Sequence, residues 1–324
     1  AELPRFAPVD TGIRLPMRLG TTIRRLERDE RLDPAVAAAQ PVADGIAPQR
    51  LRDVLHGVQI GHPLHPLMVQ VPLGSWISAS VLDLFPGAPG ARRCAHQLVN
   101  LGIATALPAM AAGAADWSRQ QQRHQRVGLV HAVTNQTAVL LYAASSLARS
   151  RGRHTLGRAF GWAGLGMAGV GGMLGAHIAY NLAGGASHAD HVRDRLPAGW
   201  HDIGPLTELR EGVPVRGVLG DVPLVIVRSG ANVRVLADTC SHMGGPLSKG
   251  ETDGTCITCP WHGSTFRLAD GEIVSGPATA RQPALEVRVV DGTVQVRRPD
   301  DAARIPIPRA EAAAEQPAPG RAGA

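Results

Sequence analysis

Residues 240–247 read Cys-Ser-His-Met-Gly-Gly-Pro-Leu, and residues 259–266 read Cys-Pro-Trp-His-Gly-Ser-Thr-Phe. Each segment supplies one thiol and one imidazole, from Cys240 and His242 and from Cys259 and His262. Two thiolates and two imidazoles can bind zinc or a 2Fe-2S cluster. Common zinc fingers place two cysteines before two histidines. Here each segment carries one of each, which favours a cluster in which one iron takes both cysteines and the other takes both histidines.

The sequence on either side of these segments is typical of a small all-β domain. Short runs rich in Val, Ile and Leu alternate with turns that contain Gly and Asp. The runs are 222–227, 233–237, 285–290 and 293–296. We therefore expect an all-β domain over about 200–298.

This domain resembles the Rieske iron–sulfur domain family. The resemblance covers about a third of the chain. It rests on the two segments above, on Asp270-Gly271 and on Gly276-Pro277. It implies a 2Fe-2S cluster whose ligands, and metal-binding residues, are Cys240, His242, Cys259 and His262. Zinc in the same pocket is the alternative.

Departures from one branch of that family predict a particular kind of centre. Cytochrome bc-type members carry a disulfide between the two loops, but the corresponding positions here are Gly245 and Trp261. Those members also place a tyrosine two residues after the loop serine, where this chain has Phe266 after Ser264. We expect the Ser264 hydroxyl, Gly245 and Trp261 to surround the cluster. Fewer hydrogen bonds to sulfur lower the reduction potential, so a low-potential, ferredoxin-like centre is expected.

The region before the all-β domain contains four long segments that are almost free of charge. A membrane-spanning helix needs about 20 mainly apolar residues. The four segments are 66–85, 98–115, 128–148 and 159–184. A soluble alanine-rich bundle is the alternative, but it would carry charged stripes at every turn. The predicted fold is an α-helical four-helix transmembrane bundle over 47–190, followed by the small all-β domain.

Composition limits the remaining possibilities. The chain has 324 residues, with Lys+Arg 33 against Asp+Glu 27 and only four cysteines, so two domains fit and a disulfide scaffold does not. The ends, 1–46 and 299–324, are rich in Arg, Pro and Ala, and we expect both to be disordered tails. Aromatic residues make up 3% and basic residues are dispersed, so no nucleic-acid partner is expected.

Short connections should make the four helices alternate in direction, which places several polar groups at one membrane face. This predicted histidine layer contains His62, His65, Asp116, His131 and His177. Ionisable groups inside membrane segments are costly and commonly functional. Three interpretations stay open: haem b held by His131 and His177 or by His65 with one of them, a quinone pocket, or interhelical hydrogen bonds.

The span from about 50 to 185 also resembles an uncharacterised bacterial membrane family. The resemblance rests on a His-Pro-Leu-His-Pro motif at 62–66, Gly-Ser-Trp at 74–76, Asp-Trp at 116–117 and the histidine at 131. That family has no settled activity, so the resemblance supports the fold more than the function.

Together these observations predict a membrane-anchored electron-transfer protein that exchanges electrons with a redox partner protein and with a haem or quinone in the bundle. A component of a Rieske-type oxygenase system and a membrane-bound redox sensor are the alternatives. Iron–sulfur clusters are assembled in the cytoplasm, and Arg24-Arg25 is not followed by an apolar signal segment. We therefore expect a multi-pass protein of the bacterial inner membrane, with the cluster domain on its cytoplasmic side.

Overall fold

The computed structural model describes residues 18–45, 47–230 and 232–299. Helices occupy the chain up to residue 195, and strands begin at residue 201. The helices are α1 (Arg18–Arg28), α2 (Asp33–Asp44), α3 (Gln49–His56), α4 (Leu64–Met68), α5 (Gln70–Asp83), α6 (Ala91–Ser118), α7 (Gln122–Ser150), α8 (His154–Ala176) and α9 (Val192–Arg195). A single turn of π-helix, His177–Asn181, extends α8.

Three helices in the described residues are long and apolar enough to cross a membrane: Ala91–Ser118, Gln122–Ser150 and His154–Asn181. The first predicted span, 66–85, differs because it is divided into α4 and α5 at Val69. Pro72 lacks the N–H that would bond to the carbonyl four residues earlier, and this breaks the helix near its start. The predicted helical bundle followed by an all-β domain is confirmed, with one of its four segments broken.

Small residues allow the bundle helices to pack closely. A Cβ atom added at Gly102 would lie 2.2 Å from Nε1 of Trp76, and one at Gly164 would lie 2.9 Å from Cε2 of Tyr142. The two aromatic rings stack with their centroids 4.2 Å apart. Large apolar side chains on the opposite faces are exposed, including Leu107, Val133, Leu140 and Leu147. This is the arrangement expected for helices that face lipid.

The expectation of a disordered tail over 1–46 is wrong for residues 18–45, which form α1 and α2. Ile23 of α1 is buried against the bundle. Two polar contacts join this region to the bundle: a hydrogen bond between Glu27 and His177 at 2.9 Å, and an ion pair between Asp33 and Arg126 at 2.7 Å. The arginine-rich sequence is therefore ordered by partners that lie far along the chain. The rest of the expected tails, 1–17 and 300–324, lies outside the described residues.

The strands of the all-β part are β1 (His201–Pro205), β2 (Val215–Leu219), β3 (Val222–Ser229), β4 (Asn232–Ala237), β5 (Glu251–Thr252), β6 (Cys256–Thr258), β7 (Thr265–Arg267), β8 (Ile273–Ser275), β9 (Glu286–Val290) and β10 (Thr293–Arg297). They form three antiparallel sheets, with strand orders β1-β10-β9, β2-β3-β4 and β5-β6-β7-β8.

A dedicated apolar cluster supports the two Cys/His loops. Leu236, Leu247, Ile257 and Phe266 are each fully buried, and they pack with Cys240 and Cys259 in one core cluster. One loop, 238–250, follows β4, and the other, 259–264, joins β6 to β7. The core therefore fixes the bases of both loops, and their tips project towards the helical part of the chain.

Candidate iron–sulfur site

The two Cys/His loops have the same backbone hydrogen bonds. The N–H of Cys240 donates to the carbonyl of Gly245 at 2.9 Å, and the N–H of Gly244 donates to the carbonyl of Cys240 at 2.8 Å. In the second loop, the N–H of Cys259 donates to the carbonyl of Ser264 at 2.8 Å, and the N–H of Gly263 donates to the carbonyl of Cys259 at 3.1 Å. Gly244 and Gly263 have φ angles of 77° and 80°, a conformation that glycine adopts without strain. Each loop therefore presents its cysteine and its histidine from a tight turn.

The four polar side chains converge between the loops. Cys240 and Cys259 are buried in the same apolar cluster. The rings of His242 and His262 have centroids 5.0 Å apart. Nδ1 of each ring is buried without a hydrogen-bond partner among the residues that the structure describes. A buried imidazole nitrogen without a partner is costly, and a metal ligand bond would satisfy both.

The protonation states of the two imidazoles and of the Cys259 thiol suit ligation. Burial lowers the pKa of the His242 imidazole to about 3 and also lowers the pKa of His262, so both rings are neutral at pH 7. The contact between the sulfur atoms raises the pKa of the Cys240 thiol, and the same contact lowers the pKa of Cys259 to about 7. Neutral imidazoles and thiolates are the forms that bind metals.

The donor set fits a two-iron cluster better than a single ion. In the part of the chain that the structure describes, no three His, Cys, Asp or Glu side chains gather around one point. A structural zinc site needs about four ligands around one ion. A 2Fe-2S cluster needs two protein ligands at each iron, which matches a sulfur pair beside a histidine pair.

The residues expected around the cluster lie against these ligands. A Cβ atom at Gly245 would lie 3.0 Å from Sγ of Cys259 and 2.9 Å from the Trp261 ring, so a larger residue would displace one of them. Trp261 is half exposed, and the centroid of its ring lies 6.3 Å from the centroid of the His262 ring. Ser264 is fully buried, and its hydroxyl oxygen accepts the N–H of Ala278 at 3.0 Å. These contacts bring all three residues to the site.

Gln282 also positions the site, and the sequence analysis missed it. Its side chain is almost fully buried, and its Oε1 accepts the N–H of Ser241, between the first two ligands, at 2.9 Å. Its Nε2 donates to the carbonyls of Ala237 and Thr239, both at 2.7 Å. A glutamine outside the Cys/His segments carries no local signal of this role, because its partners come from a different loop.

The tips of the loops face the helical part of the chain. The N–H of His188, which follows the last bundle helix, donates to the carbonyl of Ser241 at 2.9 Å. Asp53 of α3 accepts the N–H of Gly276 at 2.9 Å and the hydroxyl of Ser275 at 3.2 Å. The candidate cluster site therefore sits on the same end of the bundle as the predicted histidine layer.

Members of the predicted histidine layer have different partners. His65 lies beside His131, with ring centroids 6.2 Å apart. His177, expected to pair with His131, instead contacts Glu27 at 2.9 Å. His62 is exposed, and its ring contacts the carbonyl of the preceding residue.

Asp116 contacts a histidine that the sequence analysis did not select. Its Oδ1 lies 2.7 Å from Nδ1 of His56, a buried residue of α3 that packs beside Gly276. The structure therefore joins Asp116 to the interface with the all-β domain rather than to the other layer histidines.

Comparisons with known proteins agree with this fold and site. Residues 199–291 match the model of the Rieske [2Fe-2S] domain, and residues 61–188 match that of a predicted membrane protein family, DUF2231. The anthranilate 1,2-dioxygenase ferredoxin subunit of Burkholderia cepacia is 32% identical over 99 residues, which are 31% of this chain and 92% of that protein. The fold and the paired Cys/His loops define an iron–sulfur protein of the Rieske type. The chain belongs to the Rieske [2Fe-2S] family, and it carries in addition a DUF2231 membrane region.

Another relative is a much longer protein. The oxygenase component of 3-ketosteroid-9-alpha-monooxygenase from Mycolicibacterium smegmatis is 36% identical over 93 residues, 28% of this chain and 24% of that protein. This chain thus spans about a quarter of that relative. Among solved structures, the Sphingomonas yanoikuyae B1 ferredoxin is 26% identical, with a TM-score of 0.30, and the match covers 31% of this chain and all of that one.

We predict that Ser264→Ala lowers the midpoint potential of the cluster by tens of millivolts, up to about 100 mV. Among the described residues, the Ser264 hydroxyl hydrogen is donated to no protein atom, so it is available to a cluster sulfur. A hydrogen bond to a charged group is worth about 1.5–3 kcal/mol, and a tenfold change in a one-electron equilibrium corresponds to about 59 mV. A redox titration followed by electron paramagnetic resonance (EPR) measures the shift.

Thr265→Val is the matched control for Ser264→Ala. The Thr265 hydroxyl lies 3.0 Å from that of Thr258 and is already used within the protein. We expect its potential to equal that of the unmodified protein. Equal potentials for Ser264→Ala and the control would contradict the proposed hydrogen bond.

Proposed function

We propose that this chain is a membrane-bound electron-transfer protein whose 2Fe-2S cluster is ligated by Cys240, Cys259, His242 and His262. The observation that carries the proposal is the pair of buried Nδ1 atoms, on His242 and His262, that have no partner in the described part of the protein and belong to the same loops as two buried thiols. When bound, such a cluster takes up and releases one electron.

The protein around the ligands controls access to the site. The thiols are buried in the apolar core of the all-β domain, so the sulfur side is shielded from water. The histidines are at the loop tips, half-buried, next to His188 and the end of the bundle. Electrons therefore enter and leave at the histidine edge, and the membrane region lies on that side. The low potential expected from Phe266 and the missing disulfide fits a ferredoxin role.

The redox partner of this chain is a reductase or an acceptor protein that meets the cluster domain at the membrane surface. This rests on the ferredoxin subunit that the domain resembles along nearly its whole length. The domain boundaries that we propose are the bundle over 47–190 and the cluster domain over 200–298.

The membrane is the second partner. Three membrane-length helices and the match to a predicted membrane protein family support a multi-pass protein. We place it in a bacterial inner membrane, with the cluster domain on the cytoplasmic side where clusters are assembled. Protease protection in inverted and right-side-out vesicles tests the orientation. Cleavage of the cluster domain in right-side-out vesicles alone would reverse this assignment.

The function is tested on the full chain purified in detergent. After reduction with dithionite we expect the EPR signal and the broad optical bleaching of a Rieske cluster, with two irons and two sulfides per chain. We also expect the reduced protein to pass one electron to an added one-electron acceptor. One zinc per chain without labile sulfide would exclude the proposed function.

A further inference from the structure

Two histidines from separate segments meet inside the bundle, beneath the face that carries the cluster domain. His65 comes from α4 and His131 from α7, nine positions after its first residue, Gln122. At 1.5 Å per residue, His131 is about 13 Å from that end of the helix. Their ring centroids are 6.2 Å apart, and the ring planes are almost perpendicular, at 83°. Among the described residues, neither ring contacts a carboxylate.

Each imidazole is held by the backbone of a third or fourth helix through the same ring nitrogen. Nδ1 of His65 lies 2.8 Å from the carbonyl oxygen of Ala109 in α6, and Nδ1 of His131 lies 2.8 Å from that of Gly171 in α8. A carbonyl oxygen only accepts, so each Nδ1 carries the hydrogen and each Nε2 carries the lone pair. Histidines that bind metals are commonly fixed through their other nitrogen in this way.

Among the described residues, the one hydrogen-bonding neighbour of these Nε2 atoms is the Asn135 amide, beside His131. Nδ2 of Asn135 lies 3.3 Å from both nitrogens of His131, so it is on the lone-pair axis of neither, and it donates to the His131 carbonyl at 2.9 Å. Glycines adjoin both rings. A Cβ atom at Gly113 would lie 2.8 Å from Cε1 of His65, and one at Gly175 would lie 3.0 Å from Cε1 of His131. The helices thus carry glycine at two positions where a side chain would clash with the imidazole rings.

The spacing of the rings distinguishes between kinds of metal site. A ligand nitrogen lies about 2 Å from its metal, and the ring centre is about 1.1 Å further away. Two imidazoles on opposite sides of one metal therefore have centroids about 6 Å apart, whereas tetrahedral ligands would give about 5 Å. The observed 6.2 Å fits opposite sides. A haem iron needs this arrangement, because the porphyrin supplies the four ligands in its plane and the protein supplies two axial ones.

We propose that His65 and His131 are the axial ligands of a b-type haem within the bundle. This deepens the proposed function and rests on it, since the haem would be the second redox group of the same electron carrier. His177 is excluded from this site because its Nε2 is engaged by Glu27 at 2.9 Å. Both ligands and both supporting carbonyls come from the region that matches the membrane family, so the site does not depend on the cluster loops.

The test uses the full chain, produced with adequate haem supply and purified in detergent. A reduced-minus-oxidised optical spectrum and a pyridine haemochrome assay measure haem, and EPR of the reduced protein measures the Rieske cluster separately. We expect sharp haem bands and one haem per chain beside the cluster signal. Cluster signal without haem would overturn this inference and leave the proposed function intact. Haem without a cluster signal would contradict the proposed function and leave the assignment of the haem ligands intact.

Variants identify the ligands. His65→Ala and His131→Ala are each expected to lower haem content at least tenfold while the cluster signal per chain is unchanged. His177→Ala is the matched control and should retain haem. Because an alanine variant can fail to fold, His65→Met is included: methionine can ligate haem, so haem should remain while its midpoint potential rises. Equal haem loss in the His177 variant, or full haem in the His131 variant, would contradict the assignment. So would one bound copper or zinc ion per chain in place of haem.

Discussion

Cys259→Ser is expected to give a full-length membrane protein that has lost its 2Fe-2S cluster completely. Cys259 is one of two buried thiols in the candidate site, and its pKa of about 7 makes it the more readily ionised of the two. A serine hydroxyl does not ionise in this range and is a poor ligand for iron, so one iron would keep a single protein ligand. Iron and sulfide analysis, with EPR of the reduced protein, measures the loss.

Cys256→Ser provides the matched control, because this cysteine lies three residues earlier, at the start of β6. The hydroxyl of Thr255 donates to the Cys256 sulfur at 3.8 Å. We expect the control to retain two irons and two sulfides per chain. A full cluster in Cys259→Ser, or its loss in Cys256→Ser, would show that the ligand set is wrong. Since the cluster joins two loops, the first variant should also unfold at a lower temperature than the control.

The sequence predicted the cluster loops well because their information is local. Cysteine and histidine at short, paired spacings are chemically specific, and the glycines that close the two turns lie within the same segments. Gln282 and His56 were missed for the opposite reason. Each contacts residues that are 41 or more positions away, Ser241 and Asp116 respectively, and a polar residue in a loop or short helix gives no sign that it will be buried.

The sequence predicted the direction of the helices better than it predicted which residues of neighbouring helices meet. Alternating directions correctly brought His65 and His131 to the same depth, but the order of the helices around the bundle decides which histidines meet. His131 meets His65, and His177 turns towards α1, a helix that was expected to be disordered. Few apolar residues mark α1, and its Glu27 is held by two long-range contacts with the bundle, from its carboxylate to His177 and from its carbonyl to Arg126. Sequence periodicity could not reveal partners of that kind.

The opposite end of the bundle contains a buried ion pair that none of the redox chemistry requires. Asp83 ends α5, and Arg149 lies near the end of α7, and both are less than a tenth exposed. NH1 of Arg149 donates to Oδ1 of Asp83 at 2.9 Å, and its Nε donates to the hydroxyl of Ser145 at 3.1 Å. Gly157 and Gly161 of α8 lie against the arginine side chain, and a Cβ atom added at Gly157 would lie 2.6 Å from Cγ of Arg149 and displace it. The pair thus joins three helices at one point.

We predict that Asp83→Asn lowers the free energy of unfolding of the bundle by about 3–5 kcal/mol, because it leaves the Arg149 guanidinium buried without a counter-charge. Removing both charges should be much less harmful, so the double variant Asp83→Asn with Arg149→Met is expected to recover most of the loss. Titration with sodium dodecyl sulfate in mixed micelles, followed by circular dichroism of the helices, measures these differences. The Rieske signal should be unchanged in all variants, since the pair is at the far end of the bundle. A single variant as stable as the unmodified protein, or a double variant less stable than the single one, would mean that Arg149 finds another partner and that the ion pair does not hold the three helices together.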